Sequence, residues 1–88
     1  MTINKLPRPQ HVYQRDYNDG HASATVEINA INTPRKYAYR FDTFQELVNY
    51  FNVKVCKSTV YTPARILSYW QGYRAALISH ARSLKSCN

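Results

Sequence analysis

From Ile66 to Leu84, large side chains recur at Ile66, Trp70, Tyr73, Leu77, His80 and Leu84, in steps of 4, 3, 4, 3 and 4. Steps alternating between three and four hold residues on one stripe of an α-helix, whereas a strand would scatter them over both faces. Thr62-Pro63 stands just before this pattern, Thr as an N-cap and Pro as the first helical residue. The spacing predicts one helix from Pro63 to about Lys85, ~34 Å long at ~1.5 Å per residue. Gly72 lies inside it. A glycine there costs about 1 kcal/mol against alanine, so its presence marks a close approach of another backbone.

A shorter stripe precedes it. Phe44, Leu47, Val48 and Phe51 fall at i, i+3, i+4 and i+7. Thr43 and Glu46 have the spacing of a capping box, and Asn52 suits a C-terminal cap. These residues predict a short helix, Phe44 to Phe51.

The first half alternates instead. Ala24, Val26, Ile28 and Ala30 interleave with Thr25, Glu27 and Asn29, which is the period of a half-buried strand over Ala22 to Ile31. His11 to Tyr17 has strand composition, and Asn18-Asp19-Gly20-His21 reads as the turn between the two. Asn32-Thr33-Pro34-Arg35 reads as a second turn, and Tyr37 to Phe41 as a third strand. Val53 and Val55 alternate with Lys54 and Cys56, which leaves a short fourth strand or a loop open for 53–61. Pro7 and Pro9 favour an extended N-terminal arm over residues 1–10. The expected fold is therefore α+β, one domain over residues 11–88. A three-stranded antiparallel meander packs against the short helix and the long C-terminal helix. Val26, Ile28, Tyr39, Phe41, Phe44, Leu47, Val48, Phe51, Ile66, Trp70, Tyr73 and Leu77 form the expected core.

At 88 residues the chain has room for one core. Its longest apolar run is Ala75-Ala76-Leu77-Ile78, far short of the ~18–20 residues of a membrane span. With no hydrophobic leader at the N-terminus, a soluble cytoplasmic protein is expected. Cys56 and Cys87 form no C-x-x-C pair, so free thiols are expected, with Cys56 buried among valines.

Charge points toward a partner. Twelve Lys+Arg against five Asp+Glu give a net charge of +7. The acids are Asp16, Asp19, Glu27, Asp42 and Glu46, so nothing acidic follows Glu46. Beyond it Lys54, Lys57, Arg65, Arg74, Arg82 and Lys85 are the expected partner-binding residues. On a helical wheel Arg74, Arg82 and Lys85 share a flank, and Arg65 faces elsewhere. Such asymmetry points to nucleic acid or a nucleoprotein complex, or to an acidic protein surface. Eight tyrosines exceed what so small a core can bury with satisfied hydroxyls, which points to an interface. No phosphate loop, metal-ligand spacing or nucleophile–base–orienter set appears, so no catalytic residue, cofactor or metal is expected. Cys56 with His80 is the most tempting pair, and nothing in the spacing supports it.

Three resemblances bear on this. Arg40-Phe41-Asp42-Thr43 leading into Glu46-Leu47 and Tyr50 resembles the strand-to-helix junction of integrase arm-binding and plant ethylene-response-factor domains. That likeness implies DNA binding through an exposed sheet face, on which Glu27 would oppose phosphate. Gln45 to Val53 followed by Lys57 to Tyr61 resembles a helix-turn-helix, with a gap about two residues too long and Pro63 in the recognition helix. Phe41-Asp42-Thr43-Phe44-Gln45-Glu46-Leu47 resembles the sheet-to-helix junction of one family of small phage-encoded anti-CRISPR inhibitors. That likeness implies a phage protein that docks on a host defence complex. The basic charge would direct it to an acidic or RNA-bearing surface.

Overall fold

The computed structural model describes residues 2–33 and 41–86. Three helices follow in chain order: α1, Gln14–Asn32; α2, Phe44–Val55; α3, Ala64–Ser86. No strand occurs among the described residues. The protein is a helical bundle, not the α+β domain that the alternation predicted, and the described residues contain no part of the sheet implied by two of the resemblances.

The correction has a definite cause. The residues that α1 buries are Gly20, Ala24 and Ile28, four apart. A spacing of four is even, so it satisfies a period of two as well as one of 3.6. The two periods part at Val26, which a strand would turn inward and which here is 58% exposed. Asp19-Gly20 lies inside this helix, and no described residue has a positive φ, so the expected turn is absent. The first strand is likewise replaced, by an irregular segment to Tyr13 and the first turn of α1. Of the third strand, residues 37–40 lie outside the described residues, and Phe41 is buried in the core. The possible fourth strand is also overturned. Val53 and Val55 belong to the last turn of α2, and Cys56 is exposed and free rather than buried. Cys87 lies outside the described residues.

The helix starts are better matched. Thr43 Oγ1 accepts from the Glu46 N–H at 3.2 Å, and Glu46 reaches back to the Asp42 N–H at 3.1 Å, so the capping box is formed. At α3 the Pro63 carbonyl accepts the first helical bond, from Leu67 at 3.0 Å. The Thr62 hydroxyl instead accepts from Thr59 N–H within the connecting loop, at 3.0 Å. α3 runs unbroken through Gly72.

α1 and α3 run parallel. Asp16 meets Arg65 near their N-termini, Gly20 meets Tyr69, and Ile28 and Asn29 share a depression with Ser79, His80 and Ser83 near their C-termini. The contact is made backbone to backbone. A Cβ on Gly20 would strike the Tyr69 carbonyl, and one on Gly72 the Tyr17 carbonyl. Ser68, Gly72 and Ala76 on α3 and Gly20 and Ala24 on α1, all buried and each four residues apart, keep the seam narrow. Ser68, fully buried, donates to the Ala64 carbonyl at 2.7 Å and accepts from the Tyr13 N–H at 3.0 Å. It thereby ties the start of α1 to α3 with its own polar group satisfied.

α2 runs antiparallel to α3 and fills the other side with large side chains. Phe44 meets His80 edge-on at 4.7 Å, and Phe51 stacks on Tyr73 at 5.9 Å and 9°. Leu47, Val48, Phe51 and Leu77 are almost fully buried at this junction. Of the expected core, Val26 and Ile66 are exposed and Trp70 is half-buried; Tyr39 lies outside the described residues. Ala24, Val55, Leu67 and Ala76 are buried in addition.

The N-terminal arm lies on the bundle without helix or strand. Asn52, expected as a cap, sits inside α2 and holds the arm instead. Its Oδ1 accepts from Asn4 N–H at 2.9 Å and its Nδ2 donates to the Thr2 carbonyl at 2.8 Å. Arg74 Nε donates to the Asn4 carbonyl at 2.8 Å. Ile3 and Leu6 pack half-buried against the core. No helix among the described residues is long and apolar enough to cross a membrane.

Candidate partner-binding surfaces

The bundle divides the six expected binding residues into two groups. Lys54 in the last turn of α2, Lys57 in the α2–α3 loop and Arg65 in the first turn of α3 lie at one end. Arg82 and Lys85 lie near the other end of α3, with Arg74 between. Arg65 and Lys85 are twenty residues apart on one helix, ~30 Å at ~1.5 Å per residue, so the six do not form one patch.

Arg74 and Arg82 line a common depression of 370 Å³ with Tyr17, Gln71, Ala75, Ile78 and Ser79. A second depression of 310 Å³ is lined by Arg8, Pro9, Val12, Tyr17 and Gln71. Sharing Tyr17 and Gln71, the two make a trough along the side of α3 toward the arm, with Arg8, Arg74 and Arg82 on its walls. No acid lines either part. Lys85 is exposed beyond Arg82 on the same flank of the helix. The sequence alone gives neither Arg8 nor Tyr17 as a binding residue. Arg8 sits in an arm whose path only the fold reveals, and Tyr17 read as a strand residue.

At the other end the cations sit on aromatic rings. Arg65 Nε is 3.1 Å from Asp16 Oδ2, and its guanidinium lies 6.0 Å from the Tyr13 ring centre. The hydrogen bond to Asp16, followed by the charge of that carboxylate, holds Arg65 above its ordinary pKa. Lys54 Nζ lies 5.6 Å from the Tyr50 ring centre. Tyr50 packs edge-on to Trp70 at 6.4 Å, and Trp70 to Tyr69 at 5.0 Å. Three tyrosines of the unusually large set, Tyr13, Tyr50 and Tyr69, are thus placed at or beside this end, and Tyr61 lies in the loop there.

Cys56 and His80 do not meet. Cys56 follows the end of α2, while His80 packs against Phe44 at its start, ~18 Å away along a twelve-residue helix. Among the described residues no group of three or more His, Cys, Asp or Glu is arranged to hold a metal. No protein-family model, curated protein or solved structure matches the chain.

Proposed function

We infer that this chain is a non-catalytic binding module that contacts nucleic acid or a nucleoprotein complex along the trough between the arm and α3. The observation that supports this most is the unbroken basic lining. Arg8, Arg74 and Arg82 follow one another along a surface with no acid, and Lys85 extends it. Guanidinium groups pair with phosphate oxygens through two parallel hydrogen bonds, and neutral donors such as Gln71 and Ser79 add contacts that position the backbone. Tyr17, at the junction of the two depressions, offers a ring on which a base can stack. A groove of cations with an aromatic inside it favours a single strand over a duplex, because only unstacked bases reach the ring.

Titration of labelled single-stranded and duplex oligonucleotides at several salt concentrations tests this. Binding should weaken linearly in log K against log salt. Arg8→Ala/Arg82→Ala should flatten that slope by about one unit per lost phosphate contact. The bonds from Asn52, Gln71 and Arg74 to the arm are left in place, so the fold should persist. Arg74 is left in place because its Nε carries the Asn4 carbonyl. No binding by the unaltered chain at low salt, or an unchanged slope in the folded double variant, refutes the reading.

A further inference from the structure

The exposed apolar surface gathers at the end opposite Arg82. With α1 and α3 parallel and α2 antiparallel, several places in the sequence converge there. They are Val12 and Tyr13 before α1, Val53 at the end of α2, Val60 and Tyr61 in the loop, and Ile66 at the start of α3. These are six of the eight exposed large hydrophobic residues among the described ones; Val53 is 70%, Val60 74% and Tyr61 91% exposed. A groove of 460 Å³ opens beside them, lined by Asp16, Arg65, Ile66, Tyr69 and Trp70. Lys54 and Lys57 flank this end, and the carboxylate in the groove, Asp16, is paired with Arg65.

We propose that this end docks an acidic protein segment carrying large apolar side chains. One such side chain enters the groove on Ile66, Tyr69 and Trp70, and the segment's carboxylates meet Lys54 and Lys57. Charge selects this occupant. A second copy of the chain docking through the same end would set Lys54, Lys57 and Arg65 against themselves. A nucleic acid would satisfy the cations but give Val53, Val60 and Ile66 no apolar surface to cover. Tyr, Trp and Arg around an apolar centre is the composition of protein-binding hot spots. The proposal shares only Val12 with the trough and uses none of its cations or its tyrosine, so it stands or falls separately from the nucleic-acid reading.

The test is an NMR titration of the full chain with two synthetic peptides. One is an amphipathic peptide with Leu and Phe at i, i+3, i+4 and i+7 and Glu elsewhere. The other has the same apolar pattern with Lys in place of Glu; polyglutamate serves as the charge-only control. The acidic amphipathic peptide should move Val60, Tyr61, Ile66 and the Trp70 indole saturably. The Lys peptide and polyglutamate should bind at least tenfold more weakly. Lys54→Glu/Lys57→Glu, and separately Tyr61→Ser in the loop, should each weaken binding by tenfold or more with an unchanged melting temperature. The proposal is overturned by no response to the acidic peptide, by an equal response to polyglutamate, or by wild-type affinity in the folded variants. It is equally overturned if an oligonucleotide, or self-association seen by sedimentation, moves these same resonances more strongly.

Discussion

α3 has one side made of the smallest residues in the chain and another made of the largest. Toward α1 it presents Ser68, Gly72 and Ala76; toward α2 it presents Trp70, Tyr73 and Leu77. The small side buries little side-chain area. Its attraction comes from backbones close enough for dispersion and weak Cα–H to carbonyl contacts along the seam. The large side works by removing aromatic and aliphatic area from water, at about 25 cal/mol per Å². One side therefore fixes where the helices sit, and the other supplies most of the hydrophobic stabilisation. The difference also fixes what each side tolerates: the first cannot accept an added atom, and the second suffers most from a removed one.

The largest effect should follow from adding bulk to the narrow seam. Gly72→Leu would place a branched side chain where the Tyr17 carbonyl sits, and the obstacle is backbone, which cannot rotate away. We expect loss of the cooperative fold, since a domain of this size holds only about 5–10 kcal/mol in reserve. Gly72→Ala is the sharper version. In an open helix it would gain about 1 kcal/mol from propensity. Here overpacking should reverse the sign and leave a net loss of about 2–3 kcal/mol in urea unfolding. A stabilised Gly72→Ala variant would show that the seam is not tight.

Removing bulk from the other side should cost nearly as much as closing the seam. Phe51→Ala deletes a fully buried ring that stacks on Tyr73 and meets Trp70 edge-on at 6.0 Å. A loss of about 3–5 kcal/mol is expected, with the trough and the seam intact in the fraction that remains folded. A loss under about 1 kcal/mol would mean that α2 contributes little and that the α1–α3 pair carries the fold.

The same contrast explains what the sequence discloses. The large side is legible because Phe44, Leu47, Val48 and Phe51, and Trp70, Tyr73 and Leu77, have the three-and-four spacing that only a helix satisfies. Thr43 and Glu46 mark a helix start by chemistry, and Gly72 marks a close approach because an isolated glycine in a helix needs a reason. The small side is illegible for the opposite reason. Gly20, Ala24 and Ile28 at spacings of four fit either period, and Asp19-Gly20 imitates a turn. Because α1 meets α3 through backbone, it carries no stripe of large residues to announce it. For the candidate surfaces, the acid-free stretch after Glu46 is visible in the chain. Its division into two ends is not, because it follows from the antiparallel path of α2. The convergence of Val12, Val53, Val60, Tyr61 and Ile66 at one end requires all three helix directions at once.

A third side of α3 is neither narrow nor apolar, and it should give the smallest effect. There the arm's backbone is held by the side chain of Arg74, with a longer bond from Gln71 to the Pro7 carbonyl at 3.4 Å, and by the side chain of Asn52 on α2. Asn52→Ala removes two bonds to the arm at once. These groups are only part-buried or exposed, so water replaces much of what is lost, and about 1–2 kcal/mol is expected. The loss should be local. Amide exchange at Asn4 should speed up while that of the α1–α3 seam stays slow, because the arm touches neither Gly20 nor Gly72 in the contacts that set the seam. The arm also carries Arg8, one wall of the basic trough, so loosening it should weaken oligonucleotide binding even though Asn52 lines neither depression. An Asn52→Ala variant with fast exchange at Asn4 and undiminished binding would place the nucleic-acid contact on Arg74, Arg82 and Lys85 without Arg8.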